Sequence, residues 1–422
     1  MLTGGTIVDL PPAGKAPADV PDAVIVIRCG GIVDAGLRTA TKIPEGSRIV
    51  KVDGAYVVPG LNDVFAGMNS QAQANAYLYM GVTSIVGSDE PGGRRGPLFR
   101  QAHPAPRVRP LEVVNGRRGE NAETLLTTAE VADRVDEAAR AGAQVLLLYY
   151  GLTPEQTLSA VRRARDLGLA TIGELASTTY TRAIEAGVDA FVHSSRYSLE
   201  LAPAEMRSAV AKEPFGAPRT AFYEFLARVD PDDPAVAAWG RRIAASSTSL
   251  IPTLSLYSLD LPNHDNPWKE PIAAILDPKG IHLPADRETG QPQPAPGVPG
   301  GLSQNVVRID ERYARAGARY LAGSGTSAFG TLPGISLHNE LKMLTDLGLS
   351  PREALASATR NAGEVFRWRK TGQVKPGFDA DLLIVDADPA ADIRNLKKIR
   401  MVILAGEIID REALLKPAAP SR

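Results

Sequence analysis

Eight short apolar runs mark the chain from Val57 onward: YVVPGL, GVTSIVG, VRPLEVV, AQVLLLYY, ATIGELAS, VDAFVHSS, SLIPTLSL and ARYLAGSG. They are near-continuous and rich in β-branched residues, the pattern of parallel strands covered on both faces. Stretches of helical period separate many of them. In LTPEQTLSAVRRARDLGLA, Thr153 is placed to N-cap, Pro154 suits the first turn and Gln156 completes a capping box. Leu158, Val161 and Ala164 then share one face, and Gly168 ends the helix. SPREALASATR opens the same way, with Ser350 as cap and Glu353 three residues on. Strands alternating with helices predict an α/β fold, a (β/α)8 TIM barrel over residues 57–369, with an open doubly wound sheet as the alternative. Residues 1–56 and 370–422 read instead as strands separated by Gly/Asp turns, and predict one small composite β-sandwich domain built from both termini. Residues 256–304 form an insertion after the seventh strand, in which QPQPAPGVPGG has no period. A loop in that place lies on the face where barrels build their sites, or is a surface excursion.

Composition narrows the function classes. The 422 residues include 47 basic and 48 acidic side chains, a net charge of −1, which argues against a nucleic-acid binder. No apolar run approaches the ~20 residues of a membrane span. Cys29 is the only cysteine, which excludes intrachain disulfides and argues against a thiolate metal cluster. The start, MLTGGTIVDL, lacks the features of a signal peptide, so the expected compartment is the cytoplasm, or the periplasm or exterior if a leader has been removed.

Several stretches in combination resemble the amidohydrolase superfamily, especially its imidazolonepropionase-like and prolidase-like members. They are GAYVVPGLNDV, the GVTSIV that follows it, AIEAGVDAFVHSS, LHNELKMLTDLGLSPREALASATRNAGEVF and GQVKPGFDADLLIVDADP. The resemblance covers nearly the whole chain and implies a barrel with a composite β-sandwich. It also implies hydrolysis at metal ions held at the carboxyl ends of the strands, where a bound Zn²⁺ brings its water to a pKa of roughly 7 and polarises the scissile carbonyl.

The same resemblance implies where the ligands should stand, and most are missing. The first strand should end Asp-x-His-x-His and reads Asp63-Val64-Phe65-Ala66-Gly67. Leu147 stands where the fourth strand should carry a bridging lysine, and Glu174 where the fifth should carry histidine. His193 keeps the sixth-strand histidine, and Gly325 replaces the eighth-strand aspartate. Two donors on adjacent strands do not make a four-coordinate zinc site. Phe65 and Leu147 are expected to fill the vacated space. The expected cofactor is therefore none, or at most one weakly bound divalent metal.

Glu174, His193 and Asp63 remain as candidate catalytic residues. Glu174 and His193 are expected to share a hydrogen bond, as a relic of the old site or as an acid–base pair, and Asp63 to fix the loop backbone. Arg94 and Arg95 in SDEPGGRRGPLF, and Tyr149 and Tyr197 near strand ends, are candidate ligand-binding residues. GSGTSAFG lacks the Gly-Lys-Ser/Thr ending of a phosphate loop, and His103, His264, His282 and His338 show no metal spacing. Two functions are expected from this pattern. The first is a catalytically degenerate protein that binds a small molecule at the barrel mouth, or partners an active relative or a second copy of itself. The second is a hydrolase of amide or cyclic amide C–N bonds with an altered, metal-poor site using Glu174 and His193.

Overall fold

The computed structural model describes residues 1–12, 14–88, 102–118, 124–261, 264–293, 295 and 297–416. Seven parallel strands run in sequence order around one sheet: Leu61–Gly67, Val82–Ser88, Arg107–Val114, Val145–Tyr150, Ala170–Leu175, Ala190–Val192 and Ser249–Ile251. Residues 319–325 close the ring. Leu250 N–H donates to the Arg319 carbonyl and Leu321 N–H to that of Leu250, while on the other side Val64 N–H donates to the Ala322 carbonyl and Gly325 N–H to that of Phe65. The continuous apolar runs follow from this geometry, because successive side chains point to opposite faces and both faces are buried. Val145 and Leu147 face the interior with Ile172, Val192, Ile251 and Leu321. Leu146 and Leu148 face outward into the larger core beneath the helices.

The capping signals act as the sequence suggests. Thr153 and Gln156 form a reciprocal capping box on the helix Pro154–Asp166, and Ser350 and Glu353 do so on Pro351–Ser357. The buried stripe of the first helix is Thr157, Ala160, Val161 and Ala164, with Leu158 only half-buried at its edge.

Both termini build the second unit, an eight-stranded sheet in the order Glu407–Ile409, Ile399–Leu404, Leu382–Val385, Tyr56–Pro59, Leu2–Ile7, Val20–Arg28 and Gly31–Leu37, with Val50–Lys51 beside Leu2–Ile7. Here one expectation is corrected. The run YVVPGL is not a barrel strand, since Tyr56–Pro59 pairs in parallel with Leu2–Ile7 and antiparallel with Leu382–Val385. Pro59 and Gly60 end it, and the first barrel strand begins at Leu61. Val57, Leu382 and Ile384 pack on one face of this sheet, whereas Val58, Leu383 and Val385 join the barrel's outer core. No helix among the described residues is long and apolar enough to cross a membrane.

Candidate ligand site at the barrel mouth

A cavity of about 1850 Å³ opens at the carboxyl ends of the strands. Phe65, Val86 and Leu111 contribute apolar surface from the first three strands, Tyr149, Glu174 and His193 come from the next three, and residues 256–304 supply much of the far wall.

Strand register sets the level of each side chain. Glu174 pairs with Tyr149 and Ile172 with Leu147. Leu147 therefore lies one layer below the mouth, fully buried and outside the cavity lining, and the inward-facing fourth-strand residue at the level of Glu174 is Tyr149. This corrects the expectation that Leu147 fills the mouth. Phe65 does sit there, 9% exposed, with its ring edge-on to the His193 imidazole at 5.1 Å.

His193 follows the last residue of its strand, and alternation with inward-facing Val192 would turn it outward. Its backbone instead takes φ 63°, and its side chain lines the cavity. Its Nδ1 lies 2.8 Å from Thr253 Oγ1, and that hydroxyl donates to the Pro252 carbonyl at 2.6 Å. A threonine hydroxyl has one proton to give, so donor counting places the imidazole proton on Nδ1 and leaves Nε2 as an acceptor. Burial pulls the His193 pKa below its ordinary value; nearby Glu174 opposes this and Arg196 reinforces it.

The expected Glu174–His193 hydrogen bond is absent for the same reason. Nε2 and Glu174 Oε1 stand 3.9 Å apart and both are acceptors. Glu174 takes its partners elsewhere: the Tyr150 hydroxyl donates to Oε1, and Arg196 Nε lies 3.6 Å from the same oxygen. Arg196 was not singled out from the sequence. The available signal was a long cation in HSSRYS, a stretch of small residues directly after a buried strand.

The other candidates separate. Asp63 is fully buried and accepts from the Ser324 backbone N–H at 2.8 Å and the Ser324 hydroxyl at 2.5 Å, tying the first strand to the closing one. Burial lifts its pKa to about 7 against those bonds. Tyr197 does not reach the cavity; its hydroxyl donates to buried Asp310 at 2.7 Å behind the strand end, which corrects its placement as a ligand-binding residue. Arg94 and Arg95 lie outside the described residues. His264 and His282 line the cavity's outer wall.

The described residues do not fit a zinc or manganese centre. Among the described residues, no three His, Cys, Asp or Glu side chains come together as a metal site. The carboxylate that remains already has a guanidinium cation beside it. At the eighth-strand position, Gly325 has φ +68°, and a Cβ there would lie 2.9 Å from Leu256 side-chain atoms.

Comparison with known proteins agrees with this architecture. The Amidohydrolase family pattern matches residues 281–409. An adenine deaminase of Geobacillus kaustophilus (strain HTA426) is 35% identical over 75 residues, 18% of this chain; the match spans only 13% of that protein's length. Among solved structures, a molinate hydrolase superposes with a TM-score of 0.64 at 15% identity, covering 100% of this chain and 97% of its own. A Xaa-Pro dipeptidase with methionine bound in its active site gives 0.62 at 16%, covering 97% and 98%. A. niger ochratoxinase gives 0.60 at 16%, covering 96% and 94%. These solved structures share the fold along nearly the whole chain, and the Amidohydrolase family pattern matches its residues 281–409, under a third of its length.

Proposed function

We propose that this protein binds a small molecule at the barrel mouth and does not carry out the metal-assisted hydrolysis of its fold. The observation that carries this reading is the Arg196 guanidinium 3.6 Å from Glu174 Oε1. A fixed side-chain cation stands beside the carboxylate, and the neighbouring ligand positions hold Phe65, Gly67 and Gly325. The fold supports no more than a framework, since barrels of one family host different functions. Elemental analysis of protein purified without chelators tests it: metal content well below one ion per chain is expected, and near-stoichiometric zinc or manganese overturns the reading.

One observation favours a second function, hydrolysis of a C–N bond without metal. The neutral His193 imidazole presents the Nε2 lone pair to the cavity, the form a general base requires. It separates from the first by assay: amide turnover that survives chelation and falls at least a hundredfold in His193→Asn would establish it.

A further inference from the structure

Arg196 is the most deeply placed cation of the cavity lining, with a side chain only 10% exposed. Its Cζ lies 5.0 Å from the Tyr150 ring centroid and 5.6 Å from that of Tyr223. Its one carboxylate neighbour, Glu174, is beyond hydrogen-bond reach at 3.6 Å, and the guanidinium makes no hydrogen bond to any described residue. The Arg196 N–H donors are therefore available to an acceptor in the cavity that this side chain lines. A second guanidinium lies near the same Tyr223 ring. Arg219 is half-buried, with its Cζ 5.7 Å from the Tyr223 ring and 5.4 Å from that of Phe215, and it has no carboxylate partner among the described residues. The aromatic rings orient both guanidinium groups by cation–π contact while leaving their in-plane donors unused.

Charge bounds what completes the site. Among the described residues, the cavity lining carries three cations, Arg196, Arg219 and Lys279, against two carboxylates, Glu174 and Asp260. One net positive charge in a partly enclosed space favours a monoanion over a dianion. The apolar floor of Phe65, Val86 and Leu111 would take a hydrophobic body.

Resting on the binding function proposed above, we infer that Arg196 and Arg219 form a clamp for the carboxylate of a monoanionic ligand with an aromatic or branched apolar body. The planar fork of arginine matches a carboxylate through two parallel N–H···O bonds. Calorimetric titration of the full chain tests the assignment with three probes: 4-phenylbutyrate, its neutral amide, and 3-phenylpropylphosphonate as the dianion. Saturable binding of the carboxylate is expected, about tenfold or more tighter than the amide and tighter than the phosphonate, since a charge-assisted bond contributes at least that factor. Arg219→Met, at a half-exposed position that leaves the core untouched, should weaken 4-phenylbutyrate about tenfold and leave the amide unchanged. Arg196→Lys, which keeps the charge beside Glu174 but loses the fork, should weaken it as well. Equal affinity for acid and amide, tighter phosphonate binding, insensitivity to both substitutions, or no binding of any probe would each overturn the clamp. None of these results bears on metal content, which separately decides the proposed function.

Discussion

At Gly325 the backbone limits what the site can carry. Its φ of +68° disfavours every L side chain, and Leu256 atoms would stand 2.9 Å from a new Cβ. Gly325→Asp would restore the side chain that the family resemblance places there, yet it should cost about 1–3 kcal/mol through strain and overpacking, and should recruit no metal. Urea unfolding measures the first and elemental analysis the second; a neutral substitution that binds zinc would show that the mouth is still open to a metal. The family resemblance sets Phe65, Glu174 and His193 at strand ends, and all three line the cavity. The sequence did not reveal the pairing. His193 is oriented by Thr253, sixty residues away, and by a positive φ that histidine identity does not announce. Leu147 was misplaced by one layer, because alternation shows which residues face inward but not where the mouth begins.

At the scale of elements, the insertion shows how much order an aperiodic stretch can hold. Three of its 3-10 turns start at Pro267, Pro271 and Pro278, and the first and last of these are capped by Asn266 and Asp277. Those Asn-Pro and Asp-Pro pairs are turn signals readable in the sequence. The anchor is not readable. Trp268 donates from Nε1 to the Ala285 carbonyl at 3.1 Å, lies under Arg287 at 4.7 Å, and packs in a cluster that joins Ile272, Leu276 and Ile281 to Met80 and Ile335. Trp268→Ala should cost about 3–5 kcal/mol and loosen the far cavity wall, appearing as faster amide exchange across residues 264–293 than in the barrel strands. Uniform exchange change across the chain, or none, would show that the insertion is held by something else. The strand expected at residues 56–61 makes a related point: an apolar run with β propensity says that it pairs, but only long-range partners decide in which sheet.

Across the whole molecule, three buried carboxyl groups set a pH dependence. Burial raises Asp63 from 3.8 to about 7, Asp310 from 3.8 to about 7, and Glu340 from 4.5 to about 8, with Asp63 adding a smaller push on Glu340. Between the unfolded and folded pKa values the native state holds a proton that the unfolded chain has released. Stability from these groups is therefore fully present below pH ~4, falls as pH rises, and has been lost by about pH 8, with a slope of at most about 1.4 kcal/mol per pH unit for each group. Surface carboxylates act in the opposite sense. The hydrogen bond from Arg38 lowers Asp22, and that from Arg394 lowers Asp392, so their contribution disappears only as pH falls below the ordinary carboxylate range. The urea midpoint should accordingly be higher at pH 5.5 than at pH 8.5. Asp310→Asn gives a clean test. The amide oxygen can still accept from the Tyr197 and Tyr320 hydroxyls, as Oδ1 does at 2.7 and 3.1 Å, while the amide nitrogen takes the place of Oδ2 beside Ser194. It has no proton to lose in this range, so it should remove about a third of the slope contributed by three equal groups. A midpoint that rises steadily from pH 5.5 to 8.5, or a slope that Asp310→Asn leaves unchanged, would show that these carboxyl groups are ionised in the folded protein.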